Sequence, residues 1–165
     1  MSFERVIPTG KIGKLNNAEI DAFLTHPWNA RLAVVTPENT PYVVAVWYEF
    51  DPSERVFYIV ARAKSKYVEY LTLNPSVAIH IADDFHLEHT RVLVEGRAEI
   101  VEGPISPEIS PRLRDFVLRL SQRYLGEKGP EYALRTMRRP RCLIKVIPHR
   151  WHSWTGSEWG RRYRE

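Results

Sequence analysis

The distribution of apolar and polar residues divides the chain into short strands and a few helices. Asn16 and Glu19 have the spacing of a helix-capping box, and an apolar stripe at helical spacing follows them as far as Pro27. A basic turn at residues 62–66 opens a further helix that ends at Asn74-Pro75. Amphipathic stripes predict helices over residues 112–125 and 131–138. Apolar runs predict strands over residues 31–36, 42–50, 56–61, 76–82, 90–101 and 141–147.

Residues 42–50 are apolar on both faces instead of alternating. An antiparallel strand buried on both sides predicts a barrel wall that is covered by a helix or by a second subunit. The same wall suits a flat aromatic ligand, although an ordinary core accounts equally well for these residues.

In the strand over 90–101, Gly96 indicates a bulge or a close backbone approach. We predict a single domain over residues 1–165 of mainly β (α+β) class, with about six antiparallel strands in a small barrel and three or four flanking helices.

Composition narrows the class of protein. With 165 residues, of which 44% are hydrophobic, the chain is large enough to form one folded core. The single Cys142 cannot form an internal disulfide, which favours a cytoplasmic, reducing setting. Cys142 lies in an apolar run and is interpreted as core packing. Because no apolar run reaches the length of a membrane span, no association with a membrane is expected.

The net charge of +4 is unevenly distributed along the chain. Residues 135–165 contain nine Lys or Arg and two Glu, interleaved with Trp151, Trp154, Trp159 and Tyr163. This segment contains no recognisable nucleic-acid-binding module, so nucleic acid is not expected as a partner. We interpret it as a docked terminal segment or as an arm that reaches a partner subunit.

The basic turn is the strongest candidate for a binding site. Arg62, Lys64 and Lys66 stand beside Ser65, whose hydroxyl can accept hydrogen bonds from backbone amides at a helix start. A helix N-terminus carries partial positive charge, and the added cations make it suitable for a phosphate. A basic turn that is merely solvated explains the same residues, so the turn alone leaves both interpretations open.

Other catalytic chemistries find little support. The pairs His86/His89 and His149/His152 lie in predicted loop or strand segments, where residues three apart point to opposite faces, so no metal site is predicted. The chain contains no G-x-S-x-G, G-x-G-x-x-G or Walker A motif, which argues against hydrolase, Rossmann and P-loop folds. Ligation of a haem by one histidine stays open. No catalytic acid, base or nucleophile is predicted.

The motifs of this chain resemble those of the pyridoxamine 5′-phosphate oxidase-like superfamily, the flavin- and deazaflavin-binding split barrels. Ser65-Lys66 followed by Asn74-Pro75 is similar to the phosphate-binding motif of that superfamily. The run Val44-Ala-Val-Trp-Tyr48 resembles the strand that lies along the cofactor ring, and residues 90–99 resemble its strand ending in Val-Glu-Gly-x-Ala-Glu. Trp154-Thr-Gly resembles a tail tryptophan that lies near the cofactor across the dimer interface.

The resemblance implies a six-stranded split barrel that forms a homodimer, binds FMN at the subunit interface and acts as an oxidoreductase on an unknown small molecule. The implied cofactor-binding residues are Val44, Val46, Trp47, Tyr48, Ala61, Arg62, Ser65, Lys66, Arg91 and Trp154, with Arg91 reached from the other subunit. Two alternatives stay open: a reductase that uses the deazaflavin coenzyme F420, and a non-catalytic flavin- or haem-binding protein. Pyridoxamine oxidases carry Arg-Lys after the serine, whereas this chain has Lys66-Tyr67, so oxidation of vitamin B6 is not expected.

Overall fold

The structure, a computed structural model, describes residues 6–7 and 10–158. The helices are α1 (Asn17–Leu24), α2 (Lys66–Leu73), α3 (Pro111–Leu125) and α4 (Gly129–Thr136), with a 3₁₀ turn at Gly126–Lys128. The strands are β1 (Ala30–Val35), β2 (Pro41–Val46), β3 (Glu49–Asp51), β4 (Val56–Arg62), β5 (Ser76–Ala82), β6 (His89–Ile105) and β7 (Arg141–Gly156). None of the described helices is long and apolar enough to span a membrane.

The strands form one sheet of seven, in the order β2-β1-β5-β6-β7-β4-β3, and every neighbouring pair is antiparallel. The two edge strands, β2 and β3, are joined only by Trp47 and Tyr48. Since the chain advances at most about 3.6 Å per residue, the two edges of the sheet lie near each other at this point. The sheet is therefore rolled into a barrel that stays split between β2 and β3, and the predicted fold class is confirmed.

The single strand predicted over residues 42–50 is wrong, because the segment divides into β2 and β3 and raises the strand count from six to seven. The division falls at Tyr48, whose ring is completely buried in the core. Its hydroxyl donates to the carbonyl oxygens of Leu24 (3.2 Å) and His26 (3.1 Å) at the end of α1. Burying this side chain turns the backbone away from the line of β2.

The outer face of β2 is not buried in the single chain, contrary to the expectation of burial on both faces by a helix or subunit. Val43 is 62% exposed, so no described helix covers it. The helices α3 and α4 cover the other side of the barrel, where Leu113 and Phe116 pack on Val56, Tyr58 and Leu143. The sequence analysis expected either a helix or a second subunit to cover β2. No described helix covers Val43, and covering by a second subunit stays a prediction.

The strands β6 and β7 form a long curved hairpin. The bulge predicted at Gly96 is confirmed by a register shift between Glu95 and Gly96. A Cβ atom at Gly96 would lie 2.6 Å from the carbonyl oxygen of Ile147, so only glycine fits this close approach. Trp154 belongs to β7 and pairs with β6 of its own chain, so this part of the predicted tail is a strand. Trp159 and Tyr163 lie outside the described residues.

Helix boundaries follow the signals in the sequence. Asn16 and Glu19 form the predicted capping box of α1, with hydrogen bonds in both directions. The hydroxyl of Ser110 accepts from the amide of Leu113 and caps α3. Asn74 ends α2, and its side chain accepts from the amide of Ser76. Cys142 is buried, as expected for core packing.

Replacement of Tyr48 by phenylalanine tests the role of its hydroxyl at the junction of the two edge strands. We expect the free energy of unfolding to fall by about 1 kcal/mol, since a typical intramolecular hydrogen bond contributes roughly 0.5–1.5 kcal/mol. Chemical denaturation measures this change. The matched control is Tyr42→Phe, because the hydroxyl of half-buried Tyr42 makes no hydrogen bond in the described part of the chain. Equal effects of the two substitutions would contradict the assignment.

Candidate functional site

A cleft of about 300 Å³ opens where the barrel is split, between the end of β2, the end of β4 and the helix α4. This volume lies at the lower end of the range for small-molecule sites, roughly 300–1,000 Å³. One side of the cleft is apolar and the other carries cations and hydroxyl groups. The lining residues are Val44, Ala45, Val46, Trp47, Val60, Arg62, Ser65, Tyr67, Tyr132 and Arg141.

The apolar side is built around Trp47, which is held in place by aromatic contacts. Its ring stacks on Tyr124 with a centroid distance of 5.0 Å and an interplanar angle of 4°. The Tyr132 ring meets the Trp47 ring edge-on, with 6.0 Å between the ring centroids and an interplanar angle of 63°. The Tyr124 hydroxyl donates to the carbonyl oxygen of Trp28 and accepts from the amide of Tyr48. The wall next to the edge of β2 is therefore rigid and largely apolar.

Two arginines stand opposite each other at the polar end. Arg62 on β4 and Arg141 on β7 are register partners in neighbouring antiparallel strands. Like charges in such positions repel each other. The Arg141 side chain is buried, with only 7% of the residue exposed; one Nη donates to the Thr136 hydroxyl at 3.0 Å, and its Nε has no hydrogen-bond partner. Neither arginine forms an ion pair with a carboxylate in the described part of the chain.

The positive charge at this end also acts on Tyr132. Burial by itself would raise the pKa of this phenol, but hydrogen bonds and charge from Arg62 and Arg141 outweigh burial and lower the pKa below its ordinary value. A phenol whose anionic form is favoured indicates strong local positive potential. The pocket is therefore prepared for a negatively charged group.

Ser65 lies at the start of α2 but does not act as its cap. Its backbone occupies the N-cap position, whereas its hydroxyl makes no capping hydrogen bond. Burial raises the pKa of the neighbouring Tyr67 to about 12, with a smaller opposing effect from a hydrogen bond to Ser65. The predicted acceptance of backbone amides by the Ser65 hydroxyl is therefore wrong in this structure. The first turn of α2 is left without a side-chain cap at the mouth of the cleft.

The structure brings together five of the ten predicted cofactor-binding residues: Val44, Val46, Trp47, Arg62 and Ser65 all line this cleft. Ala61 and Tyr48 are packed in the core and do not line this cleft. Lys66 is exposed on α2, with its ammonium 3.5 Å from the carboxylate of Glu69, and does not line the cleft.

The remaining two predicted residues, Arg91 and Trp154, lie together in a second, smaller cleft. They are register partners on β6 and β7 and line a space of about 140 Å³ with Leu87 and His89. Arg91 and Trp154 do not line the first cleft of the same chain. One chain thus carries two separate clusters of the predicted residues.

One histidine of each predicted pair contacts a carboxylate. His86 Nδ1 lies 2.5 Å from an oxygen of buried Asp83, and His152 Nε2 lies 3.0 Å from an oxygen of Glu95. Within residues 6–7 and 10–158, no three His, Cys, Asp or Glu side chains cluster as metal ligands.

Sequence reasoning missed five residues that line the first cleft: Ala45, Val60, Tyr67, Tyr132 and Arg141. Tyr132 and Arg141 come from elements far along the chain from the basic turn. The available signal was Arg141 itself, because a charged residue at the start of a buried apolar strand is rarely placed there without a partner.

Comparisons with known proteins agree with this architecture. A model of the pyridoxamine 5′-phosphate oxidase family matches residues 17–155. A conserved hypothetical protein from Mycobacterium tuberculosis, Rv2991, is 25% identical with a TM-score of 0.70, over 90% of this chain and 89% of that chain. No match was found among curated proteins.

Two further solved structures carry functional descriptions. An F420 reductase is 26% identical with a TM-score of 0.59, over 88% of this chain and 98% of that chain. An FAD-binding protein from Mesorhizobium loti is 20% identical with a TM-score of 0.64, over 90% of this chain and 98% of that chain. The family match spans most of the chain. It includes all of β1 to β6 and β7 except its last residue, Gly156. The chain therefore belongs to the pyridoxamine 5′-phosphate oxidase family and has its split-barrel fold.

Proposed function

We propose that this chain binds FMN in the first cleft and transfers hydride or electrons between that cofactor and a small-molecule substrate. The observation that carries the proposal is Arg141, a buried guanidinium that has no carboxylate partner among the described residues. Removing a cation from water costs several kcal/mol unless an opposite charge compensates it. A bound phosphate in this cleft supplies that compensation.

The polar end of the cleft fits a phosphate group. Arg62 and Arg141 offer guanidinium donors, which suit the geometry of phosphate oxygens. The hydroxyl of Ser65 and the uncapped first turn of α2 add neutral donors at the same mouth. Lys66 points to solvent in the single chain, so its predicted part in holding the phosphate stays a prediction.

The apolar end of the cleft fits a flat ring system. Burial of apolar area against Val44, Val46 and Trp47 stabilises a ligand by roughly 25 cal/mol for each Å² removed from water. Since β2 is an edge strand, its free side presents backbone N–H and C=O groups that the described strands leave unpaired. Those groups are available to a ring's heteroatoms. Hydride chemistry is supplied by the flavin when it is bound, so the chain needs no dedicated nucleophile.

The complete site is proposed to form in a homodimer, with Arg91 and Trp154 contributed by the partner subunit. Arg141 and Trp154 stand near opposite ends of β7, which runs over 16 residues. At about 3.3 Å per residue, the two side chains are separated by up to roughly 40 Å along the strand. A single flavin does not bridge that distance, whereas a second chain placed against the exposed face of β2 brings its own Arg91 and Trp154 closer. The cytoplasmic setting inferred from Cys142 stays part of the proposal.

A second candidate, a reductase that uses coenzyme F420, is favoured by the similarity to the F420 reductase. The cleft offers the same features to either cofactor, an apolar wall and a cationic end. The two candidates differ in the cofactor that is bound and in its chemistry. A deazaflavin such as F420 transfers only hydride, whereas the proposal for FMN includes transfer of hydride or electrons.

Titration of the purified protein with each cofactor distinguishes these candidates. We expect FMN to bind, with a change in its visible absorbance and a loss of its free fluorescence as the ring is buried. Tighter binding of F420 than of FMN would favour the second candidate. A Soret band on addition of haem, with no response to FMN or F420, would contradict both.

The substitution Arg62→Gln tests whether the cationic end holds the phosphate. We expect FMN affinity to fall by about 10–100-fold, because a hydrogen bond to a charged group contributes roughly 1.5–3 kcal/mol. Affinity for riboflavin, which lacks the phosphate, should hardly change. Arg112→Gln is the matched control, since Arg112 is exposed at the start of α3 outside the cleft. Equal losses for FMN and riboflavin would refute the assignment.

The homodimer is tested by Val43→Glu, which places a charge on the exposed apolar face of β2. We expect the wild-type protein to sediment as a dimer and the variant as a monomer, with FMN affinity reduced at least tenfold. Ile109→Glu is the control, because Ile109 is 71% exposed in the segment before α3, away from this face. A monomeric wild-type protein that binds FMN fully would contradict the proposed arrangement.

A further inference from the structure

The helix α4 is fixed against α3 by one of its faces. Gly129, Ala133 and Met137 recur at every fourth position, so they lie on the same side of the helix. Ala133 and Met137 pack with Val117 of α3 in a buried apolar cluster. A Cβ atom at Gly129 would lie 2.5 Å from the carbonyl oxygen of Ser121, so the two helix backbones approach closely there. These contacts determine where the other faces of α4 lie.

A neighbouring face of α4 carries Tyr132 and Thr136, which are also four residues apart. Tyr132 lines the first cleft, whereas Thr136 does not line it and is only 1% exposed. The Thr136 hydroxyl donates to the carbonyl oxygen of Tyr132 at 3.0 Å or of Ala133 at 3.3 Å. The same hydroxyl lies 3.0 Å from an Nη atom of Arg141. Thr136 therefore stands behind the cleft and connects α4 to Arg141.

The direction of the contact between Thr136 and Arg141 follows from the donors available. A hydroxyl has one proton, and the helix carbonyl groups take it; a guanidinium has donors only. The Thr136 oxygen is thus the acceptor for Arg141. The side chain opposite, Arg62 on β4, carries the same charge and repels the Arg141 guanidinium. The Thr136 hydroxyl opposes this repulsion, because it attracts one Nη towards α4.

We infer that Thr136 is a positioning residue, whose hydroxyl fixes the Arg141 guanidinium in the direction from which it meets an anion in the first cleft. The inference rests on the proposed function, since the anion is the cofactor's phosphate. Thr136 does not line the cleft, so it acts through Arg141. A guanidinium that is ordered before binding loses less conformational entropy on binding, and its affinity for phosphate is correspondingly higher.

The variants Thr136→Val and Thr136→Ser test the inference in fluorescence titrations with FMN and riboflavin. Valine has nearly the shape of threonine without the hydroxyl, whereas serine keeps the hydroxyl. We expect the ratio of FMN affinity to riboflavin affinity to fall about tenfold in Thr136→Val, because the ordering of Arg141 is then lost on binding. The ratio in Thr136→Ser should stay within about threefold of the wild-type ratio, since the acceptor is kept. The control is Thr25→Val, whose lost hydroxyl donates to the carbonyl oxygen of Ala22, outside the cleft, and it should leave the ratio unchanged.

A double-mutant cycle separates positioning from packing of α4. In an Arg141→Gln background the guanidinium is absent, so Thr136→Val should change the affinity ratio by less than about twofold. Equal effects of Thr136→Val in the two backgrounds would show that Thr136 acts by packing, and would overturn the inference. An unchanged or increased ratio in Thr136→Val, or a loss in Thr136→Ser as large as in Thr136→Val, would also overturn it. Chemical denaturation checks that each variant is folded.

Failure of the proposed function is distinguishable from failure of this inference. If the wild-type protein binds neither FMN nor riboflavin, the proposed function fails, and inorganic phosphate becomes the probe in calorimetry. The wild-type protein and Thr136→Ser should then bind phosphate more tightly than Thr136→Val does. Equal phosphate affinities, or no phosphate binding by the wild-type protein, would overturn the inference as well.

Discussion

The junction at Trp47 and Tyr48 is the constraint on which both the fold and the site depend. It joins the two edges of the sheet, so the barrel cannot open flat without breaking the contacts of these two residues. Tyr48 is held by the carbonyl groups of Leu24 and His26, and its amide is bound by the Tyr124 hydroxyl. The guanidinium of Arg123 also donates to those carbonyl groups, so α1, α3 and the junction form one hydrogen-bonded unit. Trp47 faces the cleft because Tyr48 faces the core.

A second feature of the described structure is a group of neighbouring cations that have no carboxylate partner. Arg141 is buried, Arg62 stands opposite it, and two further basic residues follow in the α4–β7 loop. Elsewhere on the described surface several cations are paired with carboxylates, as in Arg119 with Glu49 and Lys145 with Glu54. The concentration of unpaired positive charge at one end of the cleft reduces the stability of the free chain and favours a ligand of opposite charge. Folding and binding are therefore coupled at this end.

Local signals in the sequence were sufficient for most elements but not for the cleft. The capping box at Asn16, the bulge at Gly96 and the end of α2 at Asn74 depend on neighbouring residues, and the structure confirms each. The apolar run over 42–50 carried no local sign of its division, because Tyr48 is as compatible with a strand as its neighbours. Its direction is set by contacts with α1 and α3, which lie far away in the sequence. The burial of Arg141 likewise depends on contacts with distant segments, Thr136 on α4 and Arg62 on β4, so its local sequence does not predict it.

The split in the barrel opens a cleft in what would otherwise be a closed wall. In a closed barrel, β2 and β3 would pair along their length and their backbone groups would be consumed by each other. Here the pairing is interrupted, so the edge of β2 keeps free backbone groups beside an apolar wall. Natural proteins usually protect such edges because they attract other strands. In this chain the edge is flanked by the fixed ring of Trp47 and the guanidinium of Arg62, which favour a flat anionic ligand over another strand.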